Sequence, residues 1–82
     1  MDWSKFEPTD FEYDFVRDEL HAHKITLKEA TECFYNEFDV RKNKKSKDRF
    51  QLIGRTFGGR RLKIIFQLKS GRIVRIITGW DI

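Results

Sequence analysis

The sequence predicts an α+β fold: two N-terminal helices packed on one face of a three- to four-stranded antiparallel sheet. Two observations lead there. Residues 49–56, 61–68 and 73–80 are three strand-like runs whose apolar residues stay in phase. Upstream of them, Thr9-Asp-Phe-Glu12 and Thr26-Leu-Lys-Glu29 are capping boxes, the signature of a helix start. With 82 residues the chain makes one small domain, 1–82. A domain of this size buries only about 60% of its unfolded surface.

The first helix has two competing starts. One is the Thr9 box, with Pro8 ahead of it; the other is a cap at Asp14, which leaves Phe11-Glu-Tyr13 as a short extended segment. In both, Phe11, Phe15, Val16 and Leu20 fall at helical spacing and point one face at the sheet. Helix two starts at the Thr26 box, with Ile25 stapled to Ala30 and a buried stripe of Leu27, Ala30 and Phe34. Trp3 and Phe6 dock on the core from the N-terminal lead-in. Residues 39–48 carry five cations in a polar run and read as a loop, with a short strand possible around residues 38–41.

In the meander, side chains alternate between faces, so residue parity sorts them. Phe50, Leu52, Leu62, Ile64, Phe66, Leu68, Val74, Ile76 and Trp80 form an apolar core face. The odd-numbered face alternates cations with isoleucines. Three-residue loops keep this parity: Phe57-Gly58-Gly59 opposes Leu52 with Ile64 and Phe50 with Phe66, and Lys69-Ser70-Gly71 opposes Leu68 with Arg72. A slip of one residue would bury arginines, so the register is strongly specified.

Charge is segregated along the chain. Residues 1–40 hold 4 Lys/Arg against 11 Asp/Glu, and residues 41–82 hold 13 against 2, within a net charge of +4. A cationic half of this kind is the footprint expected for a polyanion or an acidic protein partner. The single cysteine, Cys33, excludes an intramolecular disulfide framework and reads as a small buried residue on a helix. The sequence has no run of the roughly 20 apolar residues that span a bilayer and no signal peptide at its start, so the expectation is a soluble cytoplasmic protein without a membrane partner. His21 and His23 lie between the helices, where capping or packing competes with a role at a phosphate. No Cys/His/Asp cluster accompanies them, so no metal site and no cofactor are expected.

Several motifs in order carry a family resemblance. Phe11-Glu-Tyr-Asp14 resembles the Phe-Glu-Trp-Asp opening of BrnT-type toxins. His23-Lys-Ile-Thr-Leu-Lys-Glu-Ala30 resembles their His-Gly-Val-x-x-x-Glu-Ala passage, with Lys24 where glycine is usual. Leu52-Ile-Gly-Arg-Thr56, Gly59-Arg-Arg-Leu62 and Arg75-Ile-Ile-Thr78 are similar to the family's strand signature, while Thr78-Gly79-Trp80 stands where Ser-Ala-Arg is usual. These toxins belong to the RelE-like ribonucleases of bacterial type II toxin–antitoxin systems. The resemblance implies a RelE-like fold, a cytoplasmic endoribonuclease of the mRNA interferase type, free or ribosome-associated RNA as target, and a cognate antitoxin that is a small DNA-binding protein.

Metal-independent cleavage needs a base for the ribose 2′-OH, an acid for the leaving oxygen and cations for the phosphorane. The odd-numbered face offers Arg61, Arg75 and Lys63, with Arg55 able to converge on them across neighbouring strands. His23 is the candidate base, because histidine titrates nearest neutrality and this one falls in a matched motif. Arg49, Arg55, Arg60, Arg72, Lys44, Lys45 and Lys47 are the candidate RNA-binding cations. The alternative is a non-catalytic module of the same fold that binds RNA or antitoxin, or a small basic protein that binds an acidic partner. Ile53, Ile65 and Ile77 are candidate partner-binding residues, since an exposed sheet face does not normally carry so much apolar surface. The loop before Arg49, a second copy of the chain, or an acidic amphipathic antitoxin segment are the candidate covers.

Overall fold

A computed structural model of the chain describes residues 3, 6–42, 48–69 and 72–82. Its elements are β1 (Asp10–Tyr13), α1 (Glu19–Ala22), α2 (Leu27–Glu32), β2 (Asp39–Lys42), β3 (Arg49–Arg55), β4 (Arg61–Leu68) and β5 (Ile73–Asp81). The strands form one five-stranded sheet in the order β1-β5-β4-β3-β2. β1 runs parallel to β5, and every other neighbouring pair is antiparallel. The expected fold class is therefore corrected. The sheet is mixed and five-stranded, and the helices are single short turns of four and six residues rather than a helical layer of two full elements.

The first strand decides that correction. Residues 10–13 alternate exposed and half-buried, and the Phe11 ring meets Phe34 edge-on at 5.3 Å. Thr9 donates its N–H to the Arg72 carbonyl at 3.0 Å, and Asp10 to Tyr13 pair with Ile73 to Ile76. An extended segment beside β5 satisfies its backbone there, so the Thr9 capping box is not used. Asp14 instead accepts the Val16 and Arg17 N–H groups in a turn, and Asp18 caps α1 from a left-handed conformation with φ 41°. Phe15 and Val16 are 69% and 96% exposed, so the helical stripe expected over Phe11, Phe15, Val16 and Leu20 does not form. Only Phe11 and Leu20 reach the core.

α2 follows the sequence reading. Thr26 accepts the Glu29 N–H at 3.1 Å while Glu29 accepts the Thr26 N–H at 3.1 Å, and Ile25 and Ala30 are both buried. β1 and β2 lie on opposite edges of the sheet, so the two helices cross one face between them. There Leu20, Ile25, Ala30, Cys33 and Phe34 pack on Leu52, Leu62, Ile64, Phe66, Val74 and Ile76. Trp3 closes the core with edge contacts to Phe6, Phe50 and Phe66 at 5.1–5.9 Å. Each fully buried large side chain contributes about 1.5–3 kcal/mol of transfer free energy.

The β3–β4 hairpin has the expected register, with Leu52 opposite Ile64 and Phe50 opposite Phe66. Its three-residue loop closes as Thr56 donates its N–H to the Arg60 carbonyl and accepts the Arg60 N–H on its side-chain hydroxyl, with Gly59 at φ 88°. The β4–β5 hairpin is shifted. Leu68 pairs with Val74 instead of Arg72, and Ser70 and Gly71 lie outside the described residues. A shift of two keeps parity as far as Phe66↔Ile76. The next pair is then Ile65↔Thr78, so Ile77 is an extra residue in a β-bulge. Beyond it the parity of β5 is reversed. Gly79 takes the core position and is buried, while Trp80, expected in the core, faces the other way opposite Lys63.

Candidate nucleic-acid interface

The face turned away from the helices is built in rows across the strands. In one row Arg41, Gln51, Ile65 and Thr78 are successive partners; in the next, Asp39, Ile53, Lys63 and Trp80. Arg55 faces Arg61 at one end, and Arg49, Gln67, Arg75 and Glu12 make the row towards the other. A shallow groove of about 670 Å³ runs over the middle. Among the described residues its walls carry Arg17, Arg41, Lys42, Arg49 and Lys63 against a single carboxylate, Glu19, and its floor includes Ile65, Ile77 and Trp80. The bulge explains why Ile77 and Thr78 both line it, since two residues of β5 there oppose one of β4.

The four candidate catalytic residues do not form one cluster. Arg75 partners Gln67, six positions along β4 from Arg61, which is about 20 Å at 3.4 Å per residue. Arg75 also stands beside Glu12 of β1 and lines a small cavity with Asp14, Arg17 and Glu19, so carboxylates are among its neighbours. Lys63 and His23 each approach the Trp80 indole. The Lys63 ammonium lies 5.7 Å from the Trp80 ring centroid, and the His23 ring, at the C-terminal end of α1, lies 6.1 Å from the same indole.

The RNA-binding candidates do not gather in one place. Arg49 lines the groove, while Arg55 and Arg61 line a separate hollow of about 590 Å³ with Asn36, Asp39 and Phe57. Arg72 is exposed beside the start of β5. Lys44, Lys45 and Lys47 lie outside the described residues. Arg60 is a structural clamp rather than a free cation. It binds Asp81 at 2.6 Å and 2.8 Å, the Lys24 carbonyl at 2.9 Å and Glu29 at 3.2 Å. These partners raise its pKa further, the Asp81 hydrogen bonds most of all, and Arg60 holds the Asp81 carboxyl below the usual carboxylate range. The ion pairs seen between described residues are Arg60–Glu29 and Arg60–Asp81, and none of the groove cations takes part in them.

The isoleucines also divide. Ile65 is 7% exposed, buried by the chain itself, whereas Ile53 and Ile77 are half-buried. Cys33 is fully buried, and burial pushes its thiol up to about 11, as suits a packing residue. The described residues contain no group of three His, Cys, Asp or Glu placed to hold a metal ion. They also contain no helix long and apolar enough to cross a membrane. The candidate residues drawn from the sequence left out Arg17, Arg41, Lys42 and Trp80, all of which line the groove. For Trp80 the available signal was Gly79, a residue without a side chain at a position that parity gives to the open face.

Comparison with known proteins assigns no family: no protein-family model matches the chain, and no curated protein matches it.

Proposed function

We propose that this protein is an RNA-binding domain that takes the phosphate backbone along the groove of its open sheet face. In this reading it is the RNA-acting member of a bacterial toxin–antitoxin pair. One observation carries the RNA reading: Arg17, Arg41, Lys42, Arg49 and Lys63 surround one groove, with Glu19 the sole carboxylate among its described residues. Five cations that form no ion pair with a described carboxylate, set around a concave strip, make a phosphate track, and arginine forks take phosphate oxygens two at a time. The motif resemblance supports the toxin assignment. Equilibrium binding of the full chain to an RNA oligonucleotide across a salt series tests the reading. Each phosphate contact contributes a slope of about 0.7–0.9 log units of affinity per decade of salt. Replacing Arg41, Arg49 and Lys63 by Gln removes most of that slope; an unchanged slope contradicts the proposal.

A cleavage reading is favoured by His23 and Lys63 approaching the same indole. His23 would take the 2′-OH proton as that oxygen attacks phosphorus, Lys63 would neutralise the phosphorane, and a solvent water would protonate the 5′-oxygen as its bond to phosphorus breaks, while Arg61, two positions from Lys63 on β4, would bind the neighbouring phosphate. Chelator-resistant cleavage that leaves cyclic-phosphate ends, lost in His23→Gln, supports it. Intact RNA at saturating protein rejects it. Inducible expression in bacteria reports on the toxin assignment: growth arrest by the wild type, lost in Lys63→Gln, supports it, and normal growth counts against it.

A further inference from the structure

We infer that Trp80 is a stacking platform for one unpaired nucleobase, so that the RNA held in the groove is single-stranded; this rests on the RNA-binding reading above. The β-bulge at Ile77 is the device that produces the platform. Without it, the alternation of β5 would send the indole to the helix-covered face. With it, Gly79 takes that position, where an added Cβ would lie 2.6 Å from Ile64 Cδ1 and 3.3 Å from Leu20 Cδ2. The core is thus closed without Trp80. A half-buried indole is left on the floor of a cationic groove.

The surroundings of the ring match what an unpaired nucleotide requires. The Lys63 ammonium hovers 5.7 Å from the ring centroid, where it is attracted by the π-face. A stacking base takes that face and displaces the ammonium, which stays within reach of the phosphate attached to the stacked nucleotide. The His23 ring lies 6.1 Å from the indole and is tilted by 49° to it. Arg41 and Arg49 continue the positive track along the groove away from this point. Aromatic faces beside cationic tracks bind single strands without sequence preference, because every base has a π-face. A duplex keeps its bases stacked inside and offers the groove only phosphates and 2′-hydroxyls, so it gains nothing from Trp80.

The test compares a single-stranded oligoadenylate with an RNA duplex of equal length, bound to the full chain and to Trp80→Ala and Trp80→Phe. The single strand is expected to bind more tightly. Trp80→Ala is expected to lose about 5- to 150-fold in single-strand affinity. Its salt slope and its duplex affinity stay unchanged, and Trp80→Phe keeps most of the affinity. Should Trp80→Ala fail to fold, a Trp3→Phe chain leaves Trp80 as the sole indole, since the protein has two tryptophans. Its fluorescence is then quenched by the single strand and not by the duplex. Equal binding of both RNAs, with Trp80→Ala altering neither, overturns the stacking inference and leaves the RNA reading standing. Failure of the wild type to bind either RNA at low salt overturns both.

Discussion

The Arg60 guanidinium grips the Asp81 carboxylate with two prongs, Nε to Oδ1 at 2.6 Å and Nη2 to Oδ2 at 2.8 Å. Its remaining nitrogen reaches the Lys24 carbonyl and the Glu29 carboxylate. One side chain thereby ties the β3–β4 turn to the start of α2 and to the end of β5. A planar fork makes these bonds together; a lysine ammonium cannot reproduce them.

Arg60→Lys is therefore expected to lower the unfolding midpoint in urea while leaving the salt slope of RNA binding intact. The acid limb of stability follows from the same clamp. Glu29 is held below its ordinary value, first by the Thr26 N–H and then by Arg60, and Asp81 is held low by Arg60. Carboxylates depressed in the folded state stabilise above their unfolded pKa of about 4 and lose that contribution as pH falls through the folded value. Acid titration of Asp81→Asn, followed by circular dichroism, should show a shallower loss of stability below pH ~4 than the wild type.

Gly79→Ala is expected to destabilise by about 1–3 kcal/mol, because the added methyl meets Ile64 Cδ1 at 2.6 Å and the Lys63 carbonyl oxygen at 3.0 Å. Ile64→Val removes the nearer obstacle. In a double-mutant cycle by denaturant unfolding, Ile64→Val should cost less in the Gly79→Ala background than alone. Strict additivity would contradict the packing described.

Tyr13→Phe tests the joint between β1 and α1. The phenol donates to Asp18 Oδ1 at 2.6 Å and accepts the Leu20 N–H at 2.9 Å. Its loss should cost about 1–2 kcal/mol, since the Leu20 N–H loses its acceptor. Burial, followed by the Asp18 hydrogen bond, pushes the phenol up to about 12. A raised pKa means that the stabilisation is complete below the unfolded value of about 10 and fades as pH climbs through the folded value. Tyrosinate absorbance of the wild type should show one late-titrating tyrosine that is absent from Tyr13→Phe.

Ile65→Asp separates self-burial from partner docking. Ile65 is 7% exposed in the isolated chain, so the substitution should destabilise the fold by about 2–5 kcal/mol. Ile53→Asp, at a half-buried position, should cost much less. Equal unfolding midpoints for the two variants would show that Ile65 is not held by the chain itself.

Much of the sheet was legible before any coordinates. The hairpin of β3 and β4 follows from parity and an odd-length loop, both local properties. The Thr26 box is likewise complete within four residues. Two features were not legible for one shared reason. Phe11 to Tyr13 carries competing helical and extended signals, and the choice was made by the free edge of β5 more than 60 residues along the chain. The bulge at Ile77 is a mismatch between two strands, and neither strand alone encodes it. Arg60 looked like one more surface cation because its partners, Glu29 and Asp81, are distant in sequence.

The sequence by itself determined the alternation of the meander, the capped start of α2 and the separation of an acidic half from a basic one. Tertiary structure alone decided that β1 joins the sheet, that Arg75 has carboxylates among its neighbours and that Trp80 turns from the core to the groove. The physical reason lies in range. Alternation and capping are satisfied among near neighbours, whereas edge pairing, bulges and charge partners depend on which distant segments come to lie side by side.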